Sequence, residues 1–388
     1  MKEKLKKIGI GILVGVLICG NSSYASIGVK AQVQQDSATG NGIGEENQGS
    51  VTGGAIVEGN QESVTGTSEI GEKNEETVTG SALYSGSYKE TKWTIYESGL
   101  LEVTGTGEMY EAPKENENKN KTPWSAYADS ITNAKIEVTG ANNLSYLFAG
   151  LKNLDEVDLS RLDTSNATTM ERMFSGCKSL NVIDFKNFNT SKVTNMNGMF
   201  ENCSGLDVVD VSNFDTSSVT SMGKMFYGCS KLYALNLNEF NTANVRNMAY
   251  MFAKCGDLRV LRTDRFNTAN VTNMKYMFYE CIHLDFEGIR GLNLTSFNTA
   301  KVTNMEGMFE YCYYLNSLNL SSFDTRKVTN MKKMFVGCGY LTTIRTPKKS
   351  GKCTAVLPTI FKYNKRKAYK TLPKYSKKSI ALKYSCLL

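Results

Sequence analysis

The sequence predicts an α/β solenoid, and three observations predict it. Cysteines recur with a 26-residue period at Cys177, Cys203, Cys229, Cys255 and Cys281, then at Cys312 after a five-residue insertion, and at Cys338. Each is preceded at a fixed distance by a phenylalanine (Phe174, Phe200, Phe226, Phe252, Phe278, Phe309, Phe335) and followed by a leucine (Leu180, Leu206, Leu232, Leu258, Leu284, Leu315, Leu341). Each repeat also divides into halves of different apolar period. A repeat of this length marks a stack of coils, each burying its apolar face only against its neighbours.

The parts of the chain follow in order. Lys2, Lys4, Lys6 and Lys7 precede an apolar stretch from Ile8 to Gly20, and Ser23-Tyr24-Ala25 supplies small residues at a cleavage point. That is the pattern of an export signal over residues 1–25, with cleavage as late as residue 31 as the alternative. Cys19 follows the bulky Ile18, which disfavours lipid attachment there. No second hydrophobic span follows, so the expected mature chain is secreted or held at the cell surface without a transmembrane segment. Residues 32–83 are rich in Gly, Ser, Thr, Asn and Glu, and residues 32–80 carry nine acids against one lysine. Such a stretch buries too little apolar surface to fold and is expected to be a disordered acidic spacer. Residues 84–150 read as a β-rich N-terminal cap, with a hairpin of Lys92–Tyr96 and Leu100–Thr104 turning on Ser98-Gly99 and a further strand at Ile131–Thr139.

Residues 151–346 form the predicted solenoid. Leu206, Val209, Val211 and Phe214 place alternating residues inward on a short strand. Val219, Met222, Met225, Phe226 and Cys229 have the spacing of one helix face. One short parallel strand and one short helix per coil is a leucine-rich-repeat-like plan. The threonines Thr164, Thr190, Thr216, Thr242, Thr268, Thr299 and Thr325 each follow Asp or Asn, a pair able to bond backbone groups in the turn and from coil to coil. Residues 347–388 form a basic C-terminal tail, and residues 345–388 carry thirteen Lys and Arg and no acid.

These residues resemble a known repeat. The pattern running from Met225-Phe226-Tyr227-Gly228-Cys229 through Leu232, Leu235, Leu237, Phe240 and Thr242 is similar to the 26-residue bacterial surface-protein repeat of BspA-like leucine-rich-repeat proteins. Trp93 to Met109 with Trp124, and Leu357-Pro358, Tyr369 and Leu372-Pro373, look like segments that flank such repeats. The resemblance implies surface exposure and adhesion to host proteins or other cells. It does not extend to a sorting motif followed by a hydrophobic segment and a basic end.

The chemistry of single residues points the same way. Neighbouring coils lie about 5 Å apart, close enough for adjacent cysteines to bridge. Yet an odd column cannot pair fully, and Leu151 fills the position in the first coil, so reduced structural cysteines are expected. The only histidine, His283, sits beside a core cysteine and offers no Ser–His or Cys–His pairing. No phosphate-cradling loop or zinc pattern occurs. The chain is read as a non-enzyme without a cofactor.

Two binding faces are open. Asp158, Asp184, Asp210, Asn236, Arg262, Asn293, Asn319 and Arg345 occupy the outward strand position of successive coils. The three stacked aspartates either bond turn residues or form a calcium or basic-ligand site. Tyr250 and Tyr276, with Tyr227, Tyr279, Tyr311, Tyr313 and Tyr314, mark the other side of the later coils, where exposed tyrosines act as anchors. The strand face is the expected docking surface for a protein partner, because solenoid curvature favours it. The basic tail is expected to meet anionic cell-wall polymers. Its interleaved Phe361, Tyr363, Tyr369, Tyr375 and Tyr384 would also suit nucleic acid, but export makes that partner unexpected; a remnant of a missing module is the third reading.

Overall fold

The computed structural model describes residues 13–14, 29–30, 80–111, 122–284, 292–363 and 367–384. The chain divides into two compact units, Met1–Thr77 and Val78–Leu388. In the first, the described backbone is an antiparallel pair of Leu13–Val14 with Val29–Lys30. Apart from residues 13–14, the expected export signal lies outside the described residues, as do the expected acidic spacer from residue 32 to 79 and the inserted residues 285–291.

The second unit opens with a sheet of five strands: β1 (Ala82–Tyr88), β2 (Thr91–Tyr96), β3 (Leu100–Thr106), β4 (Asn133–Thr139) and β5 (Glu156–Asp158). The hairpin predicted at Ser98-Gly99 joins β2 and β3, with Gly99 at a left-handed φ of 81°. From β3 onward the sheet is parallel, and Asn133, Ala134 and Lys135 pair with Glu156, Val157 and Asp158 of the first coil. Two buried aromatics tie this sheet to the turn side of that coil. The Trp124 indole donates to the Leu147 carbonyl at 2.9 Å, and the Tyr110 hydroxyl to the Ser145 carbonyl at 2.6 Å.

In the repeats, the segment predicted as a helix is a run of tight turns. Its hydrogen bonds explain why. In one coil the N–H groups of Met222, Lys224, Phe226 and Gly228 donate to Asn247, Ala249, Met251 and Ala253 of the next coil at 2.8–3.1 Å. The intervening N–H groups of Met225, Tyr227 and Cys229 donate three residues back, to Met222, Lys224 and Phe226. The same four bonds cross every junction from Leu144 to Tyr311. An α-helix would spend all these groups on itself; here alternate ones hold the stack together. Two residues per coil take positive φ to make the turns: Lys224 (55°) and Gly228 (74°), Tyr250 (59°) and Lys254 (62°), Tyr276 (54°) and Glu280 (56°). A right-handed helix admits neither. The turn run still points Met222, Met225, Phe226 and Cys229 inward, and all four are fully buried.

The strand half is also less regular than expected. Three-residue strands form at β5, β6 (Ala234–Asn236), β7 (Val260–Arg262), β8 (Ser317–Asn319) and β9 (Thr343–Arg345), while 182–184 and 208–210 are not strands. Continuity runs instead through single parallel bridges down one column, from Asn143 through Thr169, Asn195, Ser221, Asn247, Asn273 and Asn304 to Asn330.

Three buried columns fill the stack. Phe148, Phe174, Phe200, Phe226, Phe252, Phe278, Phe309 and Phe335 stack with centroids 5.1–6.1 Å apart. The thiol of each repeat cysteine donates to a phenylalanine carbonyl of the preceding coil, as Cys229 does to Phe200 at 3.1 Å and Cys255 to Phe226 at 3.0 Å. All seven are buried and free, and burial pushes their thiols up, Cys203 and Cys255 to about 12. The threonine column bonds from coil to coil: the Thr242 hydroxyl donates to the Asn267 carbonyl at 3.0 Å and accepts the Asn267 N–H at 2.8 Å.

The basic C-terminal segment, read as a tail, is folded against the last coil. β10 (Val356–Tyr363), β11 (Lys367–Thr371) and β12 (Ala381–Tyr384) join β8 and β9 in one sheet of order β8-β9-β12-β10-β11. β12 pairs antiparallel with β9, and Leu357, Leu372 and Leu382 are buried in the core. Covering the last strand removes an open sheet edge.

Replacing Thr242 by Val keeps the shape and removes both hydroxyl bonds, leaving the Asn267 N–H and carbonyl short of a buried partner. Urea unfolding is expected to show a loss of about 1–3 kcal/mol. An unchanged midpoint would mean that the threonine column does not hold the coils.

Candidate functional site

The strand face was expected to carry the site, and the aspartates there prove to be committed to turns. One carboxylate oxygen of Asp158 accepts the Ser160 N–H at 2.9 Å. Asp184 accepts from Lys186 and Asp210 from Ser212, both at 3.0 Å. Asn236, Asn293 and Asn319 do the same through their amide oxygens. These are Asx turns, which Asp and Asn make equally. The Ser160 hydrogen bonds hold the Asp158 carboxyl below its ordinary range. Partial burial opposes the same effect at Asp184, where the Lys186 N–H and ammonium, 2.9 Å away, prevail. Among the described residues no group of three or more His, Cys, Asp or Glu is placed to hold a metal ion. Arg262 lies half-buried in β7, where its carbonyl accepts the Leu237 N–H. A second Asx column starts the turn before each buried threonine, as Asp215 does for Ser217 at 2.9 Å. A third starts the turn run, as Asn247 does for Ala249 at 3.1 Å.

The turn face is built differently. Tyr250 and Tyr276 occupy one left-handed position in successive coils, and their half-buried rings stack 5.1 Å apart. Tyr279 crosses Tyr276 edge-on at 5.3 Å. The Tyr276 hydroxyl reaches Glu306, and partial burial with that carboxylate and Glu310 pushes its pKa up to about 12. Lys275 closes on Glu306 at 3.1 Å. One coil on, Tyr311 and Tyr313 are each 46% exposed, and Tyr340 is 53% exposed. With Ile282 and Val336 they supply five of the nine exposed large hydrophobic side chains among the described residues.

The rings of this patch lie on glycines. A Cβ at Gly337 would stand 2.3 Å from the Tyr311 ring, and one at Gly339 would stand 2.9 Å from the Tyr313 ring. Tyr276 lies against Gly307 in the same way. Close backbone approach of this kind fixes the ring position. Tyr340 packs on Tyr313 and Tyr314 at 5.1 and 5.2 Å, and His283 stacks on Tyr314 at 5.3 Å. A groove of about 400 Å³ runs between these rings, lined by Glu280, Ile282, Tyr311, Tyr313 and Gly337.

Sequence reading found Tyr311 and Tyr313 but missed Ile282, Val336 and Tyr340. Their signal was available: Ile282 and Tyr313 share one repeat position, as do Tyr314 and Tyr340, and earlier coils hold Lys152, Lys178, Ser204 or Ser230 at the first and Asn153, Ser179, Gly205 or Lys231 at the second.

With this geometry in place, the repeats match the family model described as "Mycoplasma protein of unknown function, DUF285" three times, over residues 118–209, 203–294 and 261–345. The chain belongs to the DUF285 family. The pattern from Met225 to Thr242 that resembles the BspA-like repeat lies within the matched residues of this chain. Two solved structures are similar to it. A leucine-rich repeat protein from Eubacterium ventriosum ATCC 27560 is 16% identical, with 69% of this chain and 86% of that chain covered and a TM-score of 0.30. A leucine-rich repeat protein from Bacteroides ovatus ATCC 8483 is 16% identical, covering 67% and 70%, with a TM-score of 0.35. No curated protein matches.

If the three strand-face aspartates serve turns, changing Asp158, Asp184 and Asp210 together to Asn is nearly neutral at pH 7, because Asn keeps the Asx bond. Changing them to Ala is expected to cost about 1 kcal/mol at each site. The sign of the pH effect follows from Asp158 and Asp184, whose folded carboxyls titrate below the ordinary 3.8. Their contribution is complete above that value and fades as pH falls through the folded pKa. The parent should therefore lose stability more steeply than the Asn variant below about pH 4. Thermal unfolding across pH 2–7 reads both effects, and a calcium-dependent rise in the parent's midpoint would contradict the turn assignment.

Proposed function

We infer that this is an exported bacterial surface protein whose repeat stack binds a protein partner, and that the partner docks on the turn face of the last three coils. The observation that carries the reading is the patch of Ile282, Tyr311, Tyr313, Val336 and Tyr340. The Tyr311 and Tyr313 rings rest on glycine backbone, Tyr340 packs on Tyr313, and all three remain about half exposed. Aromatic side chains already fixed in position lose little freedom on binding, which is how a small number of them dominate an interface. The strand face is the weaker candidate on this reading, because one carboxylate oxygen of each of its three aspartates is held by its own turn. Export is supported by the basic and apolar pattern of residues 2–20, and among the described residues no helix is long and apolar enough to cross a membrane.

A wall-associated coat is the second reading. It is favoured by the C-terminal segment, residues 347–388, with its twelve basic residues and no acid. Anionic cell-wall polymers would meet it through salt-sensitive contacts.

Surface plasmon resonance with the exported chain over purified host matrix and plasma proteins tests the first reading. At least one saturable partner is expected, bound roughly ten-fold or more weakly by a Tyr313→Ser, Tyr340→Ser variant of unchanged thermal midpoint. Partners bound equally by that variant, or lost only when Asp158, Asp184 and Asp210 become Asn, would contradict the turn-face assignment. Retention on isolated cell walls that disappears at high salt, with no protein partner, would favour the coat.

A further inference from the structure

The tyrosines of the turn face are treated differently along the stack. In the earlier coils the chain covers them with its own cations. The Lys224 ammonium lies 5.6 Å from the Tyr227 ring centre, and Lys254 lies 5.9 and 6.0 Å from Tyr227 and Tyr279. Lys275 lies 5.2 Å from Tyr276, and the Arg259 guanidinium lies 5.4 Å from Tyr233. Lys254 reaches two coils because it stands at the second left-handed position. The later occupants of that position are Glu280, Tyr311 and Gly337. Among the described residues no lysine or arginine of this chain lies over Tyr311, Tyr313 or Tyr340.

The same coils carry acid instead. Glu280 lines the groove beside Tyr311 and Tyr313; its carboxylate accepts a hydrogen bond from the Tyr279 hydroxyl and makes no ion pair among the described residues. Its neighbours add to the negative field. The Glu310 side chain is buried, with one carboxylate oxygen lacking a hydrogen-bond partner and Lys333 at 3.9 Å from the other. Burial, together with Glu306 and Glu280, raises the Glu310 carboxyl. Aromatic faces beside a carboxylate attract a cation with an apolar stem.

We propose that the groove of Glu280, Ile282, Tyr311, Tyr313 and Gly337 is a subsite for a lysine or arginine side chain of the protein partner. The stem lies against Ile282 and the tyrosine rings, and the charged head meets the Glu280 carboxylate. The partner therefore presents a basic side chain from an exposed segment, completing on the last coils the contact that Lys254 makes within the chain at Tyr279. This inference rests on the turn-face reading above and specifies its chemistry.

The test uses the full chain labelled with 3-fluorotyrosine and titrated by fluorine NMR. The probes are N-acetyl-lysine methylamide, N-acetyl-arginine methylamide and the uncharged N-acetyl-norleucine methylamide. Saturable shifts of the Tyr311 and Tyr313 signals, assigned from Tyr→Phe variants, are expected with the two cationic probes and not with norleucine. Glu280→Gln should weaken the lysine response at least five-fold. Gly339→Ala, which moves the Tyr313 ring without altering charge, should weaken it as well. Equal response to norleucine would make the groove merely apolar and overturn the proposal. So would a lysine response unchanged by Glu280→Gln, or no response at all. A dimer in sedimentation velocity that Tyr311→Ser dissociates would assign the groove to a second copy, also overturning it. If Tyr313→Ser, Tyr340→Ser abolishes capture of a purified partner while lysine amide behaves like norleucine amide, the turn-face function stands and the cation subsite falls.

Discussion

The structure depends on one division of labour in the backbone. In each coil, alternate N–H groups of the turn run close local turns, and the others cross to the next coil. Lys224, with its own turn partner in Tyr227 and its cross-coil partner in Ala249, shows both roles at one residue. Because every second group is committed to a neighbour, a coil cannot complete its hydrogen bonds alone. That requirement, more than any single apolar contact, makes the stack cooperative between adjacent coils. It also fixes the two left-handed residues per coil, since turns tight enough to leave alternate groups free need positive φ there.

The side-chain columns follow from that geometry. With backbones locked in register, residues 26 apart are superposed, so phenylalanines stack on phenylalanines and each threonine meets the next turn. The cysteines gain a specific rationale. A residue there is buried, small and faces a carbonyl of the preceding coil, and a thiol fills the space while donating a weak hydrogen bond. High thiol pKa values keep those groups protonated and poorly reactive. Left-handed positions near the surface vary in side chain from coil to coil. Tyr250, Lys254, Tyr276, Glu280 and Tyr311 all stand at them, projecting from a backbone that their neighbours hold rigid.

Much of this was legible in the sequence. The period, the inward residues, the coil-to-coil threonines and the hairpin at Ser98-Gly99 follow from composition and spacing. A helix was expected there because Met222, Met225, Phe226 and Cys229 have the same i, i+3, i+4, i+7 spacing in a turn run as on a helix face. The contrary signal lay in Gly150, Gly176, Asn202, Gly228 and Gly337, small or amide residues at one mid-segment position where a helix would disfavour them. Of the two readings of the strand-face acids, turn bonding was the one legible from position. Asp158, Asp184 and Asp210 share their position with Asn236, Asn293 and Asn319, and a position that accepts both is one that makes Asx turns. The C-terminal segment looked like a tail because its charge outweighs its sparse apolar residues, yet Leu357, Leu372 and Leu382 suffice to seat it on the last coil. Ring exposure on the later coils depends on glycines one coil away, a relation visible only after the coils are superposed.

The central claim is that the second half of each repeat is a turn run bonded to its neighbour and not a helix, and Gly228→Ala tests it most directly. In a helix interior this change would stabilise the protein by about 1 kcal/mol. In the turn run Gly228 has a φ of 74°, and its new Cβ would stand 2.4 Å from the Asn202 side-chain oxygen. Urea unfolding of the variant should therefore show a loss of about 1–2 kcal/mol from the left-handed backbone alone. A gain in stability would contradict the account.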